Sequence, residues 1–262
     1  METKEIKRLL VMSILAGKIM LRNGAETYRV EDTLKRICKS RGLQYVQTFV
    51  TPTGIFLSVE HNDELYSYIQ RIKSIRIDLH IISEINDFSR KFVNTNMSVS
   101  EGMDFLSNLD NLPPYPKYIR YLFGGFAGGF FSLMFNGSIF DFLAAFFTSL
   151  ILIILLEFIK NVPLTFFLNN VIGAIFVTVF SVLFFNIGLG NDINKIIIGS
   201  LMLLVPGVAV TNAIRDSISG DFISGVSRAV EATIIAMAIA FGVGVTLNTI
   251  IQIFGGITNV FY

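Results

Sequence analysis

Charge is concentrated at the front of this chain, and the part that follows is apolar at membrane-spanning length. Residues 1–117 carry 16 Lys/Arg and 14 Asp/Glu. Residues 118–262 carry only 5 (Arg120, Lys160, Lys195, Arg215, Arg228) and 6 (Asp141, Glu157, Asp192, Asp216, Asp221, Glu231). Thus 30 of the 41 charged side chains lie in less than half of the 262 residues. Over the whole chain 16% of residues are charged and 52% hydrophobic, against about 25% charged in a soluble globular domain. The split predicts an α-helical polytopic membrane protein with an N-terminal cytosolic α+β domain. Residues 1–117 are the cytosolic domain and residues 118–262 a transmembrane domain of about five helices.

The same inventory excludes several classes. A net charge of +1 leaves no footprint for nucleic acid. A single cysteine, Cys38, rules out an internal disulfide framework, and with two histidines, His61 and His80, no metal centre is expected. No phosphate loop, nucleophile elbow or dinucleotide fingerprint occurs, so no cofactor and no enzymatic activity are expected. The first ten residues, METKEIKRLL, are charged and mixed in sign, unlike a secretory signal. Twenty-five Phe and no Trp suit lipid-facing helices.

Within the charged half, Ile6, Leu9, Leu10, Ile14, Gly17 and Met20 follow the helical period, up to a C-cap pair at Asn23-Gly24. A second helix runs from 26 or 27 to 41, with Tyr28, Leu34, Ile37 and Cys38 inward and Gly42 just past its end. The period then changes to two over 45–50 and 55–59, around the turn Thr51-Pro52-Thr53-Gly54, with a third strand at 66–72. Residues 78–92 read as a helix with Leu79, Ile82, Ile85 and Phe88 inward. Ser98-Val99-Ser100-Glu101 is a capping box opening a short helix to about Leu109, and Leu112-Pro113-Pro114-Tyr115-Pro116 is a stiff linker.

Five spans follow, at 118–135, 139–158, 162–185, 193–210 and 225–249, and residues 250–257 are apolar as well. With the first domain in the cytoplasm, Arg120, Lys160, Arg215 and Arg228 fall inside and only Lys195 outside, and Tyr262 ends outside. Gly124, Gly125, Gly128 and Gly129 form overlapping small-xxx-small pairs, either for close packing or because glycine is common in membrane helices.

Three segments are candidates for function. Pro206-Gly207 should interrupt the fourth span and expose backbone groups, as transporter substrate sites do. After the break, Asn212 and Asp216 share a helical face, Asp221 follows, and Arg228 and Glu231 are spaced to neutralise each other. Asn212, Arg215 and Asp216 are expected to line the cytosolic approach to the site. The alternative is a loop whose charges are merely solvated. Secondly, Gly24-Ala25-Glu26-Thr27-Tyr28-Arg29-Val30-Glu31-Asp32-Thr33 is a glycine C-cap followed by an acid-rich helix start, in which Glu26 and Arg29 are spaced to pair. The alternative there is a plain helix–helix turn. Thirdly, Thr51-Pro52-Thr53-Gly54 offers hydroxyls with no His or Cys near in sequence to activate them, and reads as structural.

Taken in chain order, Gly24 to Thr33, Phe49-Val50-Thr51-Pro52-Thr53-Gly54-Ile55, and Val205-Pro206-Gly207 through Arg215-Asp216 to Ser219-Gly220-Asp221 with Arg228 following resemble the threonine/serine exporter (ThrE) family, and in particular its split-gene form, the YjjP-like larger subunit. The resemblance covers nearly the whole chain. It implies an inner-membrane, multi-pass exporter of small metabolites, with threonine and serine, or succinate in the split form, as the associated substrates. It also implies a separate YjjB-like small membrane subunit as partner, beside membrane lipid, a small-molecule substrate and possible homo-oligomers, and no nucleic acid. It does not identify substrate-contacting residues, so the roles of Asn212, Arg215 and Asp216 rest on the physics above. Two other readings remain open. One is a membrane-tethered hydrolase, for which no nucleophile–base pair is in view. The other is an assembly or regulatory subunit, with the pathway wholly in the partner.

Overall fold

The computed structural model describes residues 3–73 and 76–253. Two compact units make up the chain: Met1–Pro113 with Gly207–Val230, and Pro114–Pro206 with Glu231–Tyr262. A single cut at residue 117 therefore does not describe the packing, because the segment Gly207–Val230 folds with the first unit.

In the first unit, α1 (Thr3–Arg22) is buried around most of its girth from Leu9 onward, with Met12, Ala16 and Ile19 joining the expected stripe, while its first two turns are exposed apart from Ile6. Its end is closed by Ala25 N–H donating to Met20 O (3.1 Å) and Gly24 N–H to Leu21 O (3.1 Å), with Gly24 at φ +91°. That left-handed position favours glycine. Next comes α2 (Thr27–Lys39), which buries Val30, Thr33, Leu34, Ile37 and Cys38. Tyr28 was expected inward but is 39% exposed. In the first turn, Thr27 takes the inward place.

The sheet is antiparallel in the order β1 (Tyr45–Thr51), β2 (Gly54–His61), β3 (Glu64–Arg71). Thr51 pairs with Gly54 across the two-residue Pro52-Thr53 turn, and His61 with Glu64 across Asn62-Asp63. Asn62 and Asp63 both have positive φ (52° and 61°), the requirement of a type I′ hairpin. Val46, Val50, Ile55, Leu57 and Val59 form the buried face.

Asp78 caps α3 (Leu79–Asn94) by accepting from Ile81 N–H. Ile82, Ile85 and Phe88 are buried as expected, but Leu79, beside the cap, is 65% exposed and Ile81 is buried in its stead. The capping box of α4 (Val99–Asp110) is present: Ser98 N–H donates to Glu101 Oε2 (2.7 Å) and Glu101 N–H to Ser98 Oγ (3.2 Å). Two further helices complete this unit: α9 (Gly207–Ile218) and the opening turns of α10 (Phe222–Ile253).

The second unit holds α5 (Lys117–Met134), α6 (Ile139–Ile159), α7 (Phe166–Asn186), α8 (Ile193–Leu201) and the rest of α10. Gly124, Gly125, Gly128, Gly129 and Ser132 are the buried residues of α5. A Cβ on Gly128 would stand 1.8 Å from Ser149 Oγ, and one on Gly199 2.7 Å from Ser132 N. These glycines therefore serve close packing. Asp141, buried at the start of α6, accepts from Ser138 N–H (2.7 Å), Ser138 Oγ–H (2.8 Å), Asn191 N–H (2.7 Å) and Asp192 N–H (2.8 Å).

Among the described residues three helices, α6, α7 and α10, are long and apolar enough to cross a membrane. The fourth span expected at 193–210 is interrupted, as the Pro206-Gly207 pair predicts, and the break already begins after Leu201. The nine residues of α8 rise only about 14 Å, residues 202–206 are non-helical, and α9 begins at Gly207. Pro206 has no N–H to donate, and its ring disfavours helix at the residue before it. The position of Tyr262 lies outside the described residues.

Candidate functional site

The first two candidate motifs meet inside the first unit. The α1–α2 turn leaves the carbonyls of Gly24 and Ala25 without helical partners, and the start of α2 presents a free N–H at Thr27. All three are satisfied from the α9–α10 hairpin. Asn212 Nδ2 donates to Gly24 O (2.9 Å) and Arg228 Nη2 to Ala25 O (2.9 Å). Thr27 N–H (3.3 Å) and Thr27 Oγ1–H (3.0 Å) donate to Asp216 Oδ1. Glu26, the α2 N-cap residue, makes no side-chain cap bond of its own. The anion that a helix N-terminus favours is supplied by Asp216.

Asp216 is fully buried (0% exposed), and Arg228 is 5% exposed. Arg228 Nε lies 3.0 Å from Asp216 Oδ2, a charge pair whose N–H is not aligned for a hydrogen bond. Burial pushes the Asp216 carboxyl above the usual carboxylate range, with Arg228 and Thr27 pulling it back. Glu26, 6% exposed, is gripped from both sides: Arg215 Nη1 donates to Oε1, and Arg29 Nε lies 3.2 Å from Oε2. The tight crossing of α9 and α10 needs Gly225, because a Cβ there would stand 2.1 Å from Ser217 Oγ and 3.0 Å from Ala213 O.

Glu26, Asn212 and Arg215 of this cluster also line a cleft of about 590 Å³, whose other polar residues are Arg29, Ser83, Asn86 and Thr211. Two guanidinium groups and one carboxylate give it a single surplus positive charge. It can receive a carboxylate, with amide and hydroxyl groups in reach.

Burial of Asp216, Arg228 and Glu26 overturns the solvated-loop and plain-turn readings for those three groups, while the Arg215 and Arg29 side chains stay about half exposed, at 49% and 43%. Asn212, Arg215, Asp216, Arg228, Gly24, Glu26, Thr27 and Arg29 come together. Asp216, however, is fully buried, is not among the residues lining the cleft and lines no open approach. Asp221 accepts from Ser224 N–H (3.2 Å) and caps α10. Arg228 turns to Asp216 and Ala25 rather than to Glu231, which is exposed. Gly207 edges the cleft, while Pro206 belongs to the other unit. Glu31 accepts from Val50 N–H (3.0 Å) and pairs with Lys35, tying α2 to β1. Thr51, Pro52, Thr53 and Gly54 form the β1–β2 turn, with Thr51 Oγ1 donating to Gly54 O (3.4 Å) and Ile72 N–H to Thr53 O (2.9 Å). Ser83 and Asn86 line the cleft too, outside the three candidate segments. Their spacing, beside Leu79 and Ile82 on one face of α3, was the available signal. Among the described residues no group of three or more His, Cys, Asp or Glu side chains is arranged to hold a metal ion.

The family described as "Putative threonine/serine exporter" matches residues 12–250. A protein of Klebsiella aerogenes named "Probable succinate transporter subunit YjjP" is 22% identical over 245 residues, covering 92% of this chain and 93% of that protein. One of the same name from Escherichia coli (strain K12) is 21% identical over 249 residues, covering 95% and 97%. No solved structure matches the chain significantly. With the family matched over nearly the whole length and three helices of membrane-spanning character, the chain belongs to the threonine/serine exporter family of membrane transport proteins.

Proposed function

We propose that the chain is one subunit of a secondary exporter of small carboxylate-bearing metabolites, either threonine and serine or a dicarboxylate such as succinate. Its partner is a second, YjjB-like small membrane subunit, and its place is the inner membrane with the first unit in the cytoplasm. The observation that carries this reading is the cleft with Arg29 and Arg215 set against the single carboxylate of Glu26. A guanidinium group receives a substrate carboxylate, and Glu26 holds the ammonium of an amino acid. The subunit names and succinate of the relatives support the partner and one substrate class.

Chain connectivity is compatible with five crossings. Residues 113 and 207 belong to one unit, so the chain between them leaves one side of the membrane and returns to it. An even number of crossings satisfies this, which α6 and α7 alone would meet; we assign four, adding α5 and a discontinuous crossing made of α8 and residues 202–206. The fifth is α10. Non-helical backbone at membrane depth is tolerated where it lines a cavity.

Counterflow of labelled threonine, serine and succinate in proteoliposomes, with and without the second subunit, tests the proposal. Arg215→Gln combined with Arg29→Gln should lower counterflow at least tenfold at equal protein abundance. Undiminished flux would refute the substrate role of the cleft. A purely structural subunit is the second reading, favoured by the sealing of Asp216. Flux that needs only the partner would establish it.

A further inference from the structure

We propose that the α9–α10 hairpin is a membrane-surface clamp, its inner face fastened to the α1–α2 turn by the ion-pair cluster and its outer face bedded in lipid. The two faces are inverted relative to a water-exposed hairpin. The inner face carries Asn212, Asp216 and Arg228, all buried. The outer face carries Val210, Ile214 and Ile218 on α9 and Phe222, Val226 and Val230 on α10, each series at i, i+4, i+8 and every member exposed. Ile218 is 82% exposed, and no charged side chain belongs to either series. A surface helix in water places its apolar stripe against the core and its charges outward. This hairpin does the reverse, which is the pattern of a segment lying in a membrane interface.

The continuity of α10 selects lipid as the occupant. The helix runs unbroken for 32 residues and is one of the three apolar enough to cross a membrane. It is about 48 Å long, whereas a hydrocarbon core of about 30 Å takes about 20 residues. Roughly twelve residues are therefore surplus to the crossing. The stripe at Phe222, Val226 and Val230 falls at the start of the helix, where the helix enters from the interface.

The chain has no Trp, so single tryptophans report without interference. Ile218→Trp, Val226→Trp and a control, Lys39→Trp at the exposed end of α2, are placed in the full chain in phosphatidylcholine/phosphatidylglycerol vesicles. The first two replace one exposed apolar side chain by another and should leave folding intact. Brominated acyl chains should lower the fluorescence at positions 218 and 226 at least twofold and leave position 39 unchanged, while aqueous acrylamide should do the opposite. Quenching by acrylamide at 218 and 226 would overturn the proposal. Shielding from both quenchers would overturn it too, assigning the face to a protein partner or a second copy. Equal bromolipid quenching at all three positions would overturn it as adsorption without a specific face.

Discussion

Arg228→Met puts the buried pair to the sharpest test. Methionine keeps the length and most of the volume of the arginine stem, so the perturbation is the loss of charge and donors. Asp216, 0% exposed, then keeps Thr27 but loses the guanidinium beside it, and Ala25 O loses its donor. Breaking a buried ion pair from one side costs about 3–5 kcal/mol. At about 2–4 °C per kcal/mol this lowers the unfolding midpoint by roughly 6–20 °C. The loss should depend on pH, and its sign follows from burial. Burial holds the Asp216 carboxyl above the usual range even with Arg228 present, and without it the carboxyl rises further. An acid whose folded pKa is raised contributes stability that is complete below its unfolded value of about 3.9 and is lost as pH rises through the folded value. The variant should therefore be weakest, relative to the parent, at neutral and alkaline pH, and recover as pH falls toward the carboxylate range. Adding Asp216→Asn should restore at least half of the lost midpoint at pH 7.5, because the amide oxygen still accepts from Thr27 and no unpaired charge remains. Thermal unfolding in detergent at pH 7.5 and 5, with limited proteolysis of the α9–α10 hairpin, reads all of this. A midpoint within about 1 °C of the parent, or a double variant no better than the single, would refute the argument.

Four further outcomes are expected. Gly199→Ala should lower stability by about 1–3 kcal/mol, since its Cβ would meet Ser132 N at 2.7 Å and Gly128 O at 2.8 Å. Gly207→Ala meets nothing within 4 Å and should be neutral, and equal detergent-unfolding midpoints for the two would contradict this. Asp141→Ala orphans four donors on two loops of the second unit and should cost at least about 3 kcal/mol, read as lost membrane abundance and a lower unfolding midpoint. Cys38 is buried, its thiol pushed up to about 11 by that burial, so maleimide should not label it at pH 7.5 until the chain is denatured. Asn111→Cys, by contrast, should label only from the cytoplasmic side.

What was legible in the sequence is what is local. The capping box at Ser98 and Glu101, the left-handed glycine at position 24 and the Thr51–Gly54 turn each depend on a few neighbouring residues, and each is present. Helix-start positions were misread at Tyr28 and Leu79, because in a first turn the cap geometry and neighbouring segments, not the period, decide which side chain goes inward. The break at Pro206-Gly207 was legible for a local reason too, since proline cannot continue a helix, whereas hydropathy, averaged over a window, gave no sign that α8 stops as early as Leu201.

The cluster itself was half legible, and the missing half has one cause. Both faces were visible: Glu26 and Arg29 spaced to pair, and Asn212 and Asp216 four apart on α9. Their meeting was not, because Thr27 and Asp216 are 189 residues apart and Ala25 and Arg228 203. Spacing alone assigned Arg228 to Glu231, its neighbour at i+3, yet the structure pairs it with Asp216. The turn at Ser219-Gly220-Asp221, with Gly220 at φ +89°, folds α10 back beside α9. Gly225 then lets the helices close tightly enough to bring Arg228 over Asp216. An exposed i, i+3 pair offers a few tenths of a kcal/mol, whereas leaving Asp216 unpaired in the interior costs several. That imbalance decides which acid Arg228 meets, and it arises from burial that no spacing rule contains.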